Sequence, residues 1–447
     1  METIRNLIEP LRGWRYDPAR VDLAKAVAPP YDVIGEADQI ELYGRDPHNI
    51  VRVILGRQFP EDVPTQNRYT RAAEHLREWR REGALRQDAP ALYLYEQEFA
   101  AFARDGGPVH VRRGVLARVR LSEWGRDGIY PHEKTLAGPK ADRLELMRAT
   151  HADTEPIFGL VADPGGRFST LLSGLARRDA FAFDIPESDG CRNRLAVLDD
   201  PESLRRFEPF AANAVIYIAD GHHRYETALA YRDEIRARRF PAGVAQPPHG
   251  ALDCDYILML LVPDSDPGLV IHPTHRRVRD VSGFDAGRLL DGCRRFFDIE
   301  SFADADRLLA GLDEVPEPAF GLALPDGLRR LRLKDPGAMA RRLPAAAPAV
   351  RDLDVSVLHT LILEDLLGVD EAKLLAKENI DYTKSADEAM RAARLGDGGT
   401  QCAFLLRATR MDQLRAVADA GGVMPQKSTY FYPKALSGLV LNLFETE

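Results

Sequence analysis

Ala214-Val215-Ile216-Tyr217-Ile218-Ala219-Asp220-Gly221-His222-His223-Arg224-Tyr225-Glu226-Thr227-Ala228 changes character at its midpoint. The apolar half predicts a strand that stops at Asp220-Gly221. The second half is polar, cationic and helix-forming, so a turn delivers the strand into a helix N-terminus. The first amides of a helix lack a partner inside it and lie at the positive end of its dipole, which suits an anion. Asp220 can cap, Gly221 permits close approach of a ligand, and His222, His223 and Arg224 add donors. The pattern reads as a phosphate cradle, against the plainer reading of a capped, solvated helix start. The chain has no G-x-x-x-x-G-K-[ST] run, so its phosphate chemistry is not that of a P-loop enzyme.

Outward from this stretch, strands and helices alternate. Two successive prolines, Pro29-Pro30, force extended or turn backbone near the start. Helices are predicted over 36–43, 69–82 and 140–149, and strands over 50–55, 91–99, 109–121 and 156–161. The strands 91–99 and 109–121 are placed to form a hairpin. Residues 163–209 read as a variable decoration, and the helix that begins the cradle runs to about Arg239. A strand follows at 256–262. Helices at 355–367, 383–394 and 411–420 surround a strand at 401–407. This alternation predicts an α+β or mixed α/β protein.

Composition sets the class. The chain has 447 residues, 45% apolar and 29% charged, with a formal net charge of −9. That balance argues for a globular protein with more than one core and against one that coats nucleic acid. Its longest useful apolar run, Tyr256 to Val262, cannot span a bilayer, and Met1-Glu2-Thr3-Ile4-Arg5-Asn6 has no secretory pattern. The expectation is a cytoplasmic protein with neither membrane nor nucleic-acid partners. Cys191, Cys254, Cys293 and Cys402 are scattered and read as reduced. Lysine is scarce beside arginine, and Lys134, Lys140, Lys427 and Lys434 all fall in loop-like stretches.

Three further segments carry candidate chemistry. Pro131-His132-Glu133-Lys134-Thr135 offers a carboxylate flanked by an imidazole and an ammonium, as a general base requires. Thr274, His275 and Arg276 repeat the cradle's hydroxyl, imidazole and guanidinium. Lys427 and Ser428 open a stretch, to Lys434, rich in lysine, hydroxyl and aromatic side chains, of which Tyr430, Phe431 and Tyr432 could form a stacking platform. Converging on one ligand, these loops would suit a polyanion. Zinc is disfavoured because no His-Glu-x-x-His run is present and adjacent His222 and His223 diverge by about 100° on a helix. Magnesium (Mg2+) bridging phosphates, with Glu133 or Asp220 as ligands, fits better.

Ala28-Pro29-Pro30-Tyr31-Asp32-Val33-Ile34, Pro131 to Thr135, Asp220 to Ala228, Pro273 to Arg276 and Lys427 to Lys434 together resemble the successive signatures of the family known as domain of unknown function 1015. Some members of that family resemble free-serine kinases that use pyrophosphate. The cradle is also similar to that of archaeal ADP-dependent serine kinases, whose fold belongs with ParB and sulfiredoxin. The resemblance implies Glu133 as catalytic base and Asp220 to Arg224 as the holder of donor phosphates, although the stretch between the two motifs is longer here.

The resulting expectation is an α+β protein in three parts. Residues 1–105 pack on a ParB/sulfiredoxin-like phosphate-binding core at 106–280, and 281–447 form a C-terminal α/β domain. The activity expected is phosphoryl transfer from pyrophosphate, or a nucleotide, to the hydroxyl of free L-serine. Glu133 and Asp220 would be catalytic, and Gly221, His222, His223, Arg224, Lys134, Thr274, His275, Arg276, Lys427 and Ser428 would bind phosphate. The alternatives are a phosphohydrolase and a ParB-like nucleotide-binding switch. Oligomeric state is not legible in the sequence.

Overall fold

A computed structural model describes residues 6–100, 108–133, 137–178, 181, 183–186, 190–212, 214–376 and 378–444. The chain divides into two compact units. The first comprises Met1–Pro131, Thr135–Val270 and Tyr432–Glu447, and the second His132–Lys134 and Ile271–Phe431. Both mix helices with largely antiparallel sheet, so the fold is α+β. No helix among the described residues is long and apolar enough to cross a membrane.

The first unit is built on a mixed sheet. Its strands run in the order Ile129–Tyr130, Ile216–Asp220, Ile157–Val161, Tyr256–Pro263, Val109–Arg120, Leu92–Ala100, Arg192–Leu198 and Phe183–Pro186, with Ile8–Glu9 pairing against Val109–Arg120. Tyr256–Pro263 is buried at all eight positions and Ile157–Val161 at all five. Such continuous apolar runs belong to strands covered on both faces. Leu92–Ala100 pairs with Val109–Arg120 antiparallel, as expected, so residues on both sides of position 105 share one sheet. The stretch 163–209, expected to be decoration, supplies two sheet strands and the helices Arg167–Arg178 and Pro201–Ala211. Phe168 and Phe207 from those helices enter the main core beside Val115 and Ile257.

The second unit contains an antiparallel sheet ordered Phe297–Phe302, Gly327–Leu333, Ala319–Leu324, Thr400–Leu405, His275–Arg279 and Ile380–Thr383. Successive side chains of a strand point to opposite faces. Accordingly Cys402 and Phe404 enter one apolar cluster with Leu361 and Ile362, while Ala403 and Leu405 enter another with Leu308 and Ala389.

Three local expectations change. Residues 50–55 read as a strand, but Val51–Ile54 is a helical turn. Asn49 starts it: its Oδ1 accepts from Val51 N at 2.9 Å, while its Nδ2 donates to the carbonyls of Lys25 and Val27. Burial here overrides the β preference of Ile and Val. The helix expected from Thr383 begins at Ala386, because Ser385 caps it and Ile380–Thr383 joins the sheet. Residues 355–367 are helical to Glu364, but the α-helix ends at Val357 and Leu358–Glu364 widens into a π-helix.

Close packing in the first sheet makes a test. A Cβ on Gly114 would lie 2.7 Å from both Leu260 Cδ1 and Val262 Cγ2 and 2.9 Å from the Leu261 carbonyl oxygen. Gly114→Val is expected to cost about 1–3 kcal/mol of unfolding free energy, measured by urea denaturation, since a packed interior resists added volume.

Candidate functional site

In the first unit the strand Ile216–Asp220 leads through Gly221 into the helix His222–Arg239. The strand's register against Ile157–Val161 shifts between Ile218 and Asp220, a bulge that re-aims the end of the strand. Gly221 has φ of 93°, and a Cβ there would lie 2.9 Å from Ile157 Cδ1, so the turn needs glycine on both counts. The helix cap is Gly221 and not Asp220.

The Asp220 carboxylate is committed to two cations instead. Arg224 Nη2 donates to its Oδ2 at 2.8 Å, and Lys434 Nζ pairs with its Oδ1. Burial by itself would raise the proton affinity of Asp220, but Lys434 and Arg224 outweigh it and hold the carboxyl well below the usual carboxylate range. Both Asp220 oxygens are thus engaged by cations. Among the described residues, no three or more His, Cys, Asp or Glu side chains cluster as a metal site.

Arg224 is buried, and its Nη1 donates to the Pro156 carbonyl at 2.7 Å. His222 is also buried, with its ring 6.5 Å from Trp124, whereas His223 is half-buried. Glu226, one turn on, accepts from Lys140 Nζ at 2.8 Å and from Trp124 Nε1 at 3.2 Å. Nearby Glu155 accepts from the Tyr31 amide at 2.9 Å and from Arg143 at 3.3 Å, and it raises the proton affinity of the buried Arg224. Burial pushes the Tyr31 hydroxyl up to about 12 despite the Arg143 guanidinium 4.0 Å from its ring.

Lys434 reaches this corner because buried polar groups of the sheet grip its backbone. Arg112 donates to the carbonyls of Tyr432 and Pro433, and Gln97 Nε2 donates to the Lys434 carbonyl at 3.1 Å. Burial lowers the Arg112 guanidinium to about 10. The sequence reading placed Lys434 in a lysine-rich loop but missed its pairing with Asp220, together with the parts played by Arg112 and Glu155. Scarcity of lysine was the one signal pointing to Lys434.

The second unit holds the remaining candidates. Glu133 forms a parallel bridge with Met424, whose N–H donates to the His132 carbonyl at 2.7 Å, and Lys427 N–H donates to Glu133 Oε1 at 3.1 Å. His132 is buried, with Nε2 2.9 Å from Thr429 Oγ1. Lys134 lies outside the described residues. Arg276 is buried and donates to the carbonyls of Thr274 and, at 3.0 Å, Lys427, with burial lowering it to about 10. His275 Nδ1 accepts from the Leu406 amide at 3.1 Å, and burial, assisted by Arg276, lowers the imidazole to about 4, so it is neutral at pH 7. Thr274 and Ser428 are buried, the latter donating to the Pro425 carbonyl, while Lys427 is exposed with φ of 58°. Thus Arg276, His275 and Ser428 all bond to backbone. Phe431 and Tyr432 are buried and form no open stacking platform.

An α+β architecture with a glycine corner between a bulged strand and a helix, backed by a twice-paired aspartate, defines the class. The chain belongs to the family described as "Protein of unknown function (DUF1015)", whose model matches residues 8–356. No curated protein matches the sequence. Among solved structures, a free serine kinase in complex with AMP is similar at 11% identity and a TM-score of 0.35, covering 71% of this chain and 86% of that one. A conserved hypothetical protein from Pyrococcus furiosus matches at 13% identity and a TM-score of 0.34, over 71% and 90% of the two chains. C-terminally truncated SbnI from Staphylococcus aureus matches at 11% and 0.34, over 72% and 85%. Overlaps this loose carry no functional argument.

Removing Lys434 tests the corner. Lys434→Met leaves Asp220 with one cation and is expected to cost about 1–3 kcal/mol of stability. The sign with pH follows from the depressed carboxyl: its contribution is full above the unfolded carboxylate value, about 3.9, and fades as pH falls below it. With Lys434 gone the folded-state value rises, so the contribution is smaller and the gap between the two proteins narrows in acid. Urea melts from pH 7 to pH 3 measure both effects.

Proposed function

We propose that this protein is a phosphotransferase that moves a phosphoryl group from pyrophosphate to the hydroxyl of free L-serine, giving O-phospho-L-serine. The observation that supports this most is the corner at Gly221, where a helix N-terminus opens beside His222 and His223 with Asp220, Arg224 and Lys434 locked behind it. Such an arrangement favours an anion of small size, because amides and cations at fixed positions need no reorganisation. Motif order adds to it: the Pro131-His132-Glu133 and Asp220 to Arg224 segments occur here as in the serine kinases the sequence resembles.

In this reading the serine oxygen attacks phosphorus, its proton passes to Glu133, and the bond to the leaving phosphate breaks. Catalysis of this kind rests on positioning and charge neutralisation. His223 and the first helical amides contact the donor. Asp220 acts as a positioning residue through Lys434 and Arg224. No step is routed through magnesium, which enters only as the counter-ion of the donor. Pyrophosphate is preferred to a nucleotide because Phe431 and Tyr432 are buried, and Tyr430 has the Lys384 ammonium 3.4 Å from its ring centre, leaving little for a purine to stack on.

Purified protein with magnesium pyrophosphate and L-serine is expected to give O-phosphoserine, read by mass spectrometry, faster than with equal ADP or ATP. Robust nucleotide-dependent turnover without pyrophosphate activity overturns the donor; no phosphoserine from any donor returns the reading to a hydrolase or a binding switch. Glu133→Gln is expected to lower kcat by roughly 100-fold or more with donor affinity nearly intact. His223→Ala is expected to weaken donor binding by calorimetry by about 1.5–3 kcal/mol, with serine affinity less affected.

A further inference from the structure

The second unit contains a cavity of about 310 Å³ that the phosphotransfer reading does not use. Small-molecule sites span roughly 300–1,000 Å³, so this one suits a compact ligand. Leu343, Val350, Val369 and Leu374 give it apolar walls. One side is the π-helix Leu358–Glu364, where Asp365 N–H reaches the Thr360 carbonyl at 3.3 Å and Leu367 N–H the Ile362 carbonyl at 3.0 Å, each five residues back. On an α-helix residues five apart diverge by about 140°. The wider turn allows His359 and Glu364, five apart, both to line the cavity.

Two lining groups lack what burial demands. His359 Nε2 and Ser356 Oγ are buried atoms with no hydrogen-bond partner. Leaving such a group unsatisfied is destabilising, and a ligand that bonds it recovers that loss. Burial and Arg276 hold the His359 imidazole well below its usual value, so it is neutral and its ring offers an acceptor. The lining carries two carboxylates, Glu364 and Glu371, and neither lysine nor arginine. Within the lining itself charge favours an ammonium over an anion, Glu364 being the carboxylate on the π-helix, while the cation that acts on His359, Arg276, lies outside the lining.

We propose that this cavity binds a small primary amine with an apolar body, the ammonium toward Glu364 and the body among the aliphatic walls, with His359 and Ser356 as hydrogen-bond partners. The site is independent of the proposed phosphotransfer. It adjoins a loop of consequence, because Val423, Pro425 and Gln426 form part of its wall. In that same loop Met424 N–H bonds the His132 carbonyl and Lys427 N–H bonds Glu133. A filled cavity stiffens the segment that holds Glu133.

Calorimetric titration of the full-length protein with 2-phenylethylamine, and with phenylacetate as its anionic counterpart, tests the assignment. Saturable binding of the amine, at least roughly tenfold tighter than phenylacetate, is expected. Ala346→Trp, which fills the cavity from its lining, is expected to abolish binding, and Glu364→Gln to weaken it roughly tenfold, with thermal melting confirming that both variants fold. Amide hydrogen exchange over residues 423–427 is expected to slow in the presence of the amine. Absence of amine binding, equal binding of phenylacetate, or amine binding that survives Ala346→Trp with no protection of residues 423–427 overturns the proposal. O-phosphoserine formation is read separately, so the two assignments fail independently.

Discussion

The first unit turns on one half-buried carboxylate held between two cations. Asp220 ends a strand, Arg224 lies a turn along the helix that follows, and Lys434 arrives from 214 positions further along the chain. Taking three charges even partly out of water is expensive, and three apolar residues of similar shape would often serve stability as well. Retention of the charges is better understood as specification. Arg224 also bonds the Pro156 carbonyl, so the strand, the helix start and the neighbouring strand are fixed by a single guanidinium. Lys434 fixes the segment that carries it, which Arg112 and Gln97 grip from the sheet.

Much of this was legible in the sequence where local pattern and final structure agree. The switch at Asp220-Gly221 gave strand, turn and helix because an apolar run, a glycine and a helix-forming stretch are each local signals. The fully buried strand Tyr256–Pro263 announced itself by lacking alternation. Residues 50–54 misled because their β-branched side chains favour strand while the packed interior and Asn49 favour a helical turn. Residues 163–209 looked like decoration because their strands, Phe183–Pro186 and Arg192–Leu198, sit toward the edge of the sheet with mixed polarity.

The candidate site was legible as residue types and not as orientations. A run such as Thr274-His275-Arg276 offers the same donors whether they face a ligand or the protein's own carbonyls. Here Arg276 and His275 face backbone, at Lys427 and Leu406 respectively, and their altered proton affinities follow from that burial. Arg112, Glu155 and Lys434 were missed for the converse reason. Each is an ordinary charged residue in sequence, and only pairing at long range gives it a role.

The composition of the two units bears on how the chain reaches its final state. Residues 271–431 form an almost continuous insertion, taking only His132–Lys134 from earlier in the chain, whereas the first unit needs Tyr432–Glu447. Chains emerge from the ribosome N-terminus first, and domains commonly fold in that order. Here the usual order is inverted for completion: the inserted unit has nearly all its residues before the first unit can acquire Lys434. Until then Asp220 and Arg224 stand without their third partner, and Ala152–Asp153 lacks the strand Asn442–Leu443 that pairs with it, so these are the surfaces that a chaperone would have to guard.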